Sequence, residues 1–162
     1  MIPMSLVGVR VEVPLNQPIV LLREQDGQRY LPIFIGNPEA TAIVQALQGT
    51  PTPRPMTHDL FKTVLDDLGT KVLQVVITEL HDGTFYAEIE FARDGATYRI
   101  SSRPSDAIAL AVRYGEPVPI FAHEDVLDEA GVLFEPEEDE EQIEQFREFL
   151  DQVRPEDFAH DE

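Results

Sequence analysis

The stretch Ala107-Ile108-Ala109-Leu110-Ala111-Val112 carries an apolar side chain at every position. A helix that is apolar all round has no face to offer water and must be covered on every side. The flanking residues mark it as a helix over 104–114: Pro104 suits a first helical position and Gly115 a stop. Ala40 to Leu47 is nearly as apolar and is framed alike, with Asn37 as the expected cap, Pro38 in the first position and Gly49 near the end. The small alanines let two such helices approach closely. The simplest architecture that buries both is an α+β fold, a three-layer β/α/β sandwich with the helices in the middle.

Strands are available to cover them. Leu6 to Val13, Ile19 to Leu22 and Tyr30 to Ile35 read as strands, with Gln25-Asp26-Gly27 as a turn. The same order returns with Val72 to Leu80, Phe85 to Phe91, a turn at Asp94-Gly95, and Thr97 to Ile100. Pro38 to Gly49 and Pro104 to Gly115 both span eleven steps, at an offset of 66 residues. Such spacing indicates duplication of a three-strands-then-helix unit, about 5–49 and about 70–115. Residue identity between the halves is low, and chance resemblance of two hairpin-helix units is the competing explanation.

Between the repeats, residues 50–69 form a linker and a helix. Pro51, Pro53 and Pro55 stiffen the linker and hold Arg54 out on a rigid arm. Thr57 is the expected cap of a helix whose apolar positions are Leu60, Phe61, Val64, Leu65 and Leu68, stopped by Gly69. Beyond Gly115, Val118 to Phe121 can add a short strand.

Composition sets outer limits. No apolar run approaches 18 residues, so no membrane span is expected. Met1-Ile2-Pro3-Met4-Ser5 lacks the basic and apolar regions of a signal peptide, and the absence of cysteine excludes disulfides; a cytoplasmic address is expected. The net charge of −19 is uneven: residues 123–162 contribute −15 and residues 1–122 only −4. The expected division is therefore a mildly acidic body, 1–122, and an acidic extension, 123–162. A local basic patch on the body is compatible with nucleic acid. Within the extension, Ile143, Phe146, Phe149, Leu150 and Val153 share one face of an amphipathic helix over about 138–153, a docking helix or a solubilising tail.

No phosphate loop, dinucleotide turn, nucleophile elbow or paired-histidine zinc helix is present, so any active site must be assembled by folding. Two helix starts break local rules or carry reactive groups. Arg103 stands at a cap position, where it cannot accept a helix N–H and its charge opposes the dipole. It suits a phosphate or carboxylate cradle. A structural pair with Asp106 or Glu39 is the alternative. At the other start, Asp59 suits the first turn without further function, whereas His58 has no local task and can act as general acid or base near neutrality. Glu88 and Glu90 share one strand face, which marks a solvated side or a metal site.

These segments resemble the bifunctional nuclease domain family. The matching words are Leu31-Pro32-Ile33-Phe34-Ile35-Gly36, Glu39-Ala40, Arg54-Pro55, Thr57-His58-Asp59, Phe85-Tyr86-Ala87 and Arg103-Pro104-Ser105-Asp106-Ala107 with Ala109-Leu110-Ala111. The resemblance implies an α+β fold, homo-oligomers with a dimer favoured, and nuclease activity. Its recurrent polar residues fall on Glu39, Arg54, Thr57, His58, Asp59, Arg103, Ser105 and Asp106. On that basis Arg54, Arg103 and Ser105 would hold phosphate, His58 would transfer a proton beside Asp59 and Arg103, and Glu39, Asp59 and Asp106 would bind Mg²⁺ or another divalent cation. Two-metal hydrolysis needs such carboxylates around ions about 4 Å apart. One departure weakens a metal site: Ser101 stands where the pattern usually has an acidic residue. The expected activity is hydrolysis of RNA or DNA phosphodiesters; the alternative is a non-catalytic oligomeric module for an anionic ligand or protein partner.

Overall fold

The computed structural model describes residues 1–12 and 15–133. The expected helix over 138–153 lies outside them. In chain order the elements are β1 (Ile2–Glu12), β2 (Gln17–Glu24), β3 (Arg29–Phe34), α1 (Asn37–Leu47), α2 (Thr57–Asp67), β4 (Lys71–His81), β5 (Thr84–Arg93), β6 (Ala96–Ser102), α3 (Pro104–Ala111), β7 (Ile120–Ala122), α4 (Glu124–Ala130) and β8 (Val132–Leu133). The class is α+β, and the order strand, strand, strand, helix occurs twice.

The two strand groups are halves of one eight-stranded sheet, ordered β6-β5-β4-β7-β1-β2-β3-β8. The link is β7, which runs parallel to β4 and antiparallel to β1 and so closes the inner edge of each half. Hairpin turns hold the outer pairs. Asp94 and Gly95 both have positive φ, 50° and 78°, the geometry that a tight two-residue hairpin requires.

The all-apolar segment behaves as its composition demands. Seven of the eight residues of α3 are buried, and it packs against α1, α2, β4 and β5. α1 packs in turn on β1 and β2. Ile43, Val44, Ile108 and Leu110 have no solvent exposure and join Val9, Val20, Val75 and Ile77 in one core.

Helix boundaries differ from the sequence expectation at three places. α1 is capped by Gly36, with Asn37 already helical, and a Cβ on Gly36 would collide with the Glu39 carboxylate folded over it. α2 is capped by Met56, not Thr57, because Asp59 Oδ2 turns back to accept the Met56 N–H at 2.8 Å. α3 ends at Ala111, short of Tyr114; beyond it Arg113 folds back and donates to the Ala109 carbonyl at 2.6 Å. The expected stops hold at Gly49 and Gly69, both at positive φ, where the following N–H reaches back to Gln45 and Leu65 carbonyls.

The folded body also runs past residue 122. α4 buries Val126 and Leu127, and β8 pairs with β3. Arg29 pins this addition by bonding Glu24, Glu124 and Asp128. None of the described helices is long and apolar enough to cross a membrane.

Because Leu110 is fully buried among close-packed neighbours, Leu110→Ala is expected to cost about 2–5 kcal/mol, from lost transfer energy and the cavity left behind. Urea denaturation of wild type and variant checks this.

Candidate active site

Folding brings three helix starts together. Glu39 lies in the first turn of α1, His58 and Asp59 in that of α2, and Asp106 in that of α3. The first turn of a helix carries N–H groups without intrahelical partners and the positive end of the dipole, so a carboxylate in each first turn is stabilising. Arg103, the cap residue of α3, is the centre. It grips Asp106 with two bonds, Nε to Oδ2 at 2.7 Å and Nη2 to Oδ1 at 3.1 Å, and donates from Nη1 to Glu39 Oε1 at 2.9 Å. Its side chain remains 63% exposed. His58 Nε2 lies 3.1 Å from Asp106 Oδ1, with the imidazole largely buried.

Asp59 does not join this cluster. One oxygen accepts the Met56 N–H and the other accepts Arg113 Nε at 2.6 Å. Arg113 escaped the sequence reading; its side chain is 6% exposed, and the available signal was a cation just beyond the negative end of an apolar helix. A recess of about 280 Å³ opens beside this pair, lined by Gln45, Gly49, Thr50, Thr52, Asp59 and Arg113 among others.

The remaining expected residues are placed differently. Arg54 is exposed, and no hydrogen bond or ion pair joins its side chain to another described residue. Ser105 is buried at 6% exposure. Thr57 opens α2 without a capping bond. Glu90 is held by Arg99 at 3.0 Å and by Gln74.

The electrostatics follow from these contacts. Burial pushes the Asp106 carboxyl up, but the bonds from Arg103 and then His58 outweigh it and leave it below its ordinary range. Burial likewise raises Asp59, and the Met56 N–H with Arg113 carries it below. Arg103 is held more firmly protonated by Asp106 and then Glu39. As for a metal, Glu39 and Asp106 do converge, but on the Arg103 guanidinium, and Asp59 is engaged elsewhere. The three carboxylates as arranged do not fit a shared ion: it would have to displace Arg103 from two of them and Arg113 from the third.

Fold and cluster together define an α+β domain that presents a histidine, an arginine and carboxylates at converging helix starts. The chain belongs to the Bifunctional nuclease domain family, whose model matches residues 20–135. It is 49% identical over 160 residues to an uncharacterized protein of Mycobacterium tuberculosis (strain ATCC 25618 / H37Rv), covering 94% of each chain. It is 30% identical over 108 residues to Bifunctional nuclease 1 of Oryza sativa subsp. japonica, covering 65% of this chain and 33% of that protein. The figures for Bifunctional nuclease 1 of Arabidopsis thaliana are 27% over 107 residues, 64% and 33%. The chain thus spans about a third of the length of these plant relatives.

Asp59 and Asp106 both titrate lower in the folded protein than their ordinary value of 3.8. Their stabilisation is therefore fully present above that value and is lost as pH falls through the lowered values. Thermal melts between pH 3 and 7 are expected to show an acid limb starting near pH 4, and Asp59→Asn to flatten it.

Proposed function

We propose that the chain is a nuclease that cleaves phosphodiesters at the cluster of His58, Asp106, Arg103 and Glu39. The observation that carries this reading is the approach of His58 Nε2 to Asp106 Oδ1 beside an exposed guanidinium at converging helix N-termini. Positive helix ends and an arginine attract a phosphate and can stabilise the charge that builds on it. In this reading Asp106 orients the imidazole through Nε2, which leaves Nδ1 as the ring nitrogen available to a nucleophile. His58 accepts the proton of an attacking hydroxyl or water as the new P–O bond forms, and the bond to the leaving oxygen breaks as that oxygen takes a proton from solvent water. Phosphate is assigned to Arg103 alone: Arg54 has no link to the cluster and Ser105 is buried. No step is routed through a divalent ion, since Arg103 holds the place such an ion would need.

A specific observation favours a second reading. Every member of the cluster is already partnered by another: Arg103 satisfies Asp106 and Glu39, and His58 shares Asp106. Such a closed network can simply clasp α1, α2 and α3 together in a non-catalytic binding module.

The two readings part on one experiment. Wild type and His58→Ala, purified identically, are assayed on fluorescent single-stranded RNA and DNA and melted in parallel. Catalysis predicts a loss of about 10²–10⁴-fold in cleavage rate. Equal cleavage by both proteins would identify a contaminating enzyme and overturn the nuclease reading, and a lowered melting temperature with no cleavage by either would support the clasp.

A further inference from the structure

The cluster around Arg103 leaves Asp59 unused, and the fold carries it instead into the recess of about 280 Å³ that it shares with Arg113. That volume lies below the ~300–1,000 Å³ of sites for drug-sized ligands, so it suits a single heterocycle rather than a whole nucleotide. Ala46 and Val112 give it an apolar lining. On the side of Gly49 it is open, since nothing lies within 4 Å of where a Cβ on that residue would stand.

Its hydrogen-bonding capacity is specific. Arg113, at 6% exposure, spends Nε on Asp59 and Nη1 on the Ala109 carbonyl, and its Nη2 bonds no described residue. Among the described residues the buried side-chain polar atom without a partner is the Tyr114 hydroxyl, so Nη2 is not sealed in, and the recess is the opening that Arg113 lines. Burial pushes the Asp59 carboxyl up, but the Met56 N–H and Arg113 bring it below its ordinary value. An ionised carboxylate only accepts, at about four lone-pair positions. The Met56 N–H and Arg113 Nε take two of them, and two remain.

Charge argues against a phosphate in this recess. It lies just beyond the C-terminal ends of α1 and α3, both negative, and Asp59 already neutralises Arg113. What fits is a neutral ring edge with two adjacent N–H donors for Asp59 and an acceptor for Arg113 Nη2. Guanine carries that order in N2–H, N1–H and O6. Adenine, cytosine and uracil each set an acceptor beside the donor, where it would face the second carboxylate oxygen. Asp106 and Arg113 are seven residues apart, roughly 10 Å along a helix axis, which is the reach of a nucleotide from its phosphate to the far edge of a purine.

We propose that the recess between Asp59 and Arg113 is a guanine-binding pocket for the base adjoining the scissile phosphate, with Asp59 accepting N1–H and N2–H and Arg113 Nη2 donating to O6. The place of that phosphate, at Arg103, rests on the nuclease reading; the pocket itself does not. Asp59 is then a specificity-determining residue next in the chain to the histidine that moves the proton.

The test titrates the full ¹⁵N-labelled chain separately with free guanosine, inosine, adenosine and inorganic phosphate, following the amide resonances of Gly49 and Val112 and the Arg113 Nε–H. Guanosine is expected to shift all three and to bind about tenfold more tightly than adenosine, with inosine, which lacks the N2 donor, in between. Ala46→Leu fills the recess from a helical position that leucine favours, and should abolish the shifts with an unchanged circular dichroism spectrum. Asp59→Asn keeps the shape but turns one acceptor into a donor, and should remove the advantage of guanosine over adenosine. The pocket is overturned by a wild type that guanosine does not shift, by equal binding of guanosine and adenosine, by guanosine binding that survives Ala46→Leu, or by phosphate moving these resonances in place of guanosine. Free nucleosides contain no phosphodiester, so failure here leaves the cleavage assay untouched, and a protein that binds guanosine without cleaving keeps the pocket and loses the nuclease reading.

Discussion

The requirement that α3 be dry on every side governs the molecule. A helix about 12 Å long with seven of eight residues buried can meet polar partners only at its ends. Polar groups from other elements accordingly gather there. At the N-terminal end Arg103, Asp106, Glu39 and His58 form one network; at the C-terminal end Arg113 pairs with Asp59. The candidate site is the polar terminus of an apolar core element.

That arrangement also decides how α2 lies. Two adjacent polar residues of its first turn bond opposite ends of α3, His58 to Asp106 and Asp59 to Arg113. Burying a charged group is tolerable when it is paired, and Arg113 is both paired with Asp59 and bonded to the Ala109 carbonyl. Since these bonds claim the polar side of α2 for the body, its apolar stripe is turned outward. The hydrophobic effect is normally what docks an amphipathic helix; here two ion-assisted contacts and Leu65 do so, and the apolar side is left exposed.

The strongly negative total charge hides this organisation. In the cluster a single guanidinium serves two carboxylates, while three helix dipoles contribute further positive potential that no count of Lys and Arg registers. Phosphate attraction at such a place depends on the orientation of backbone N–H groups as much as on side-chain charge.

Much of the fold could be read from local chemistry. Strand alternation, Asp-Gly turns, proline at helix starts and glycine at helix ends are short-range signals, and β1 to β6 with α1 to α3 appear where those signals put them, to within a few residues. The caps moved because Asp59 and Glu39 fold back over the starts of α2 and α1, and side-chain reach is not encoded in spacing. The extension of the body through α4 and β8 was hidden because Arg29, its anchor, is about a hundred residues away in the chain.

The site was legible as residue types but not as contacts. An arginine at a cap and a histidine without a local task stood out because each departs from a one-dimensional rule. Which carboxylate each would meet depends on distances across the fold: Arg103 and Glu39 are 64 residues apart, His58 and Asp106 are 48. The sequence by itself determined that the all-apolar helix, α3, must be buried; α1, expected to be covered alongside it, buries only Ala40, Ile43 and Val44. Only the tertiary structure decided that Asp106 answers both Arg103 and His58, that Asp59 belongs to Arg113, and that the stripe of α2 faces outward, because those outcomes depend on how helices are oriented within the packed body.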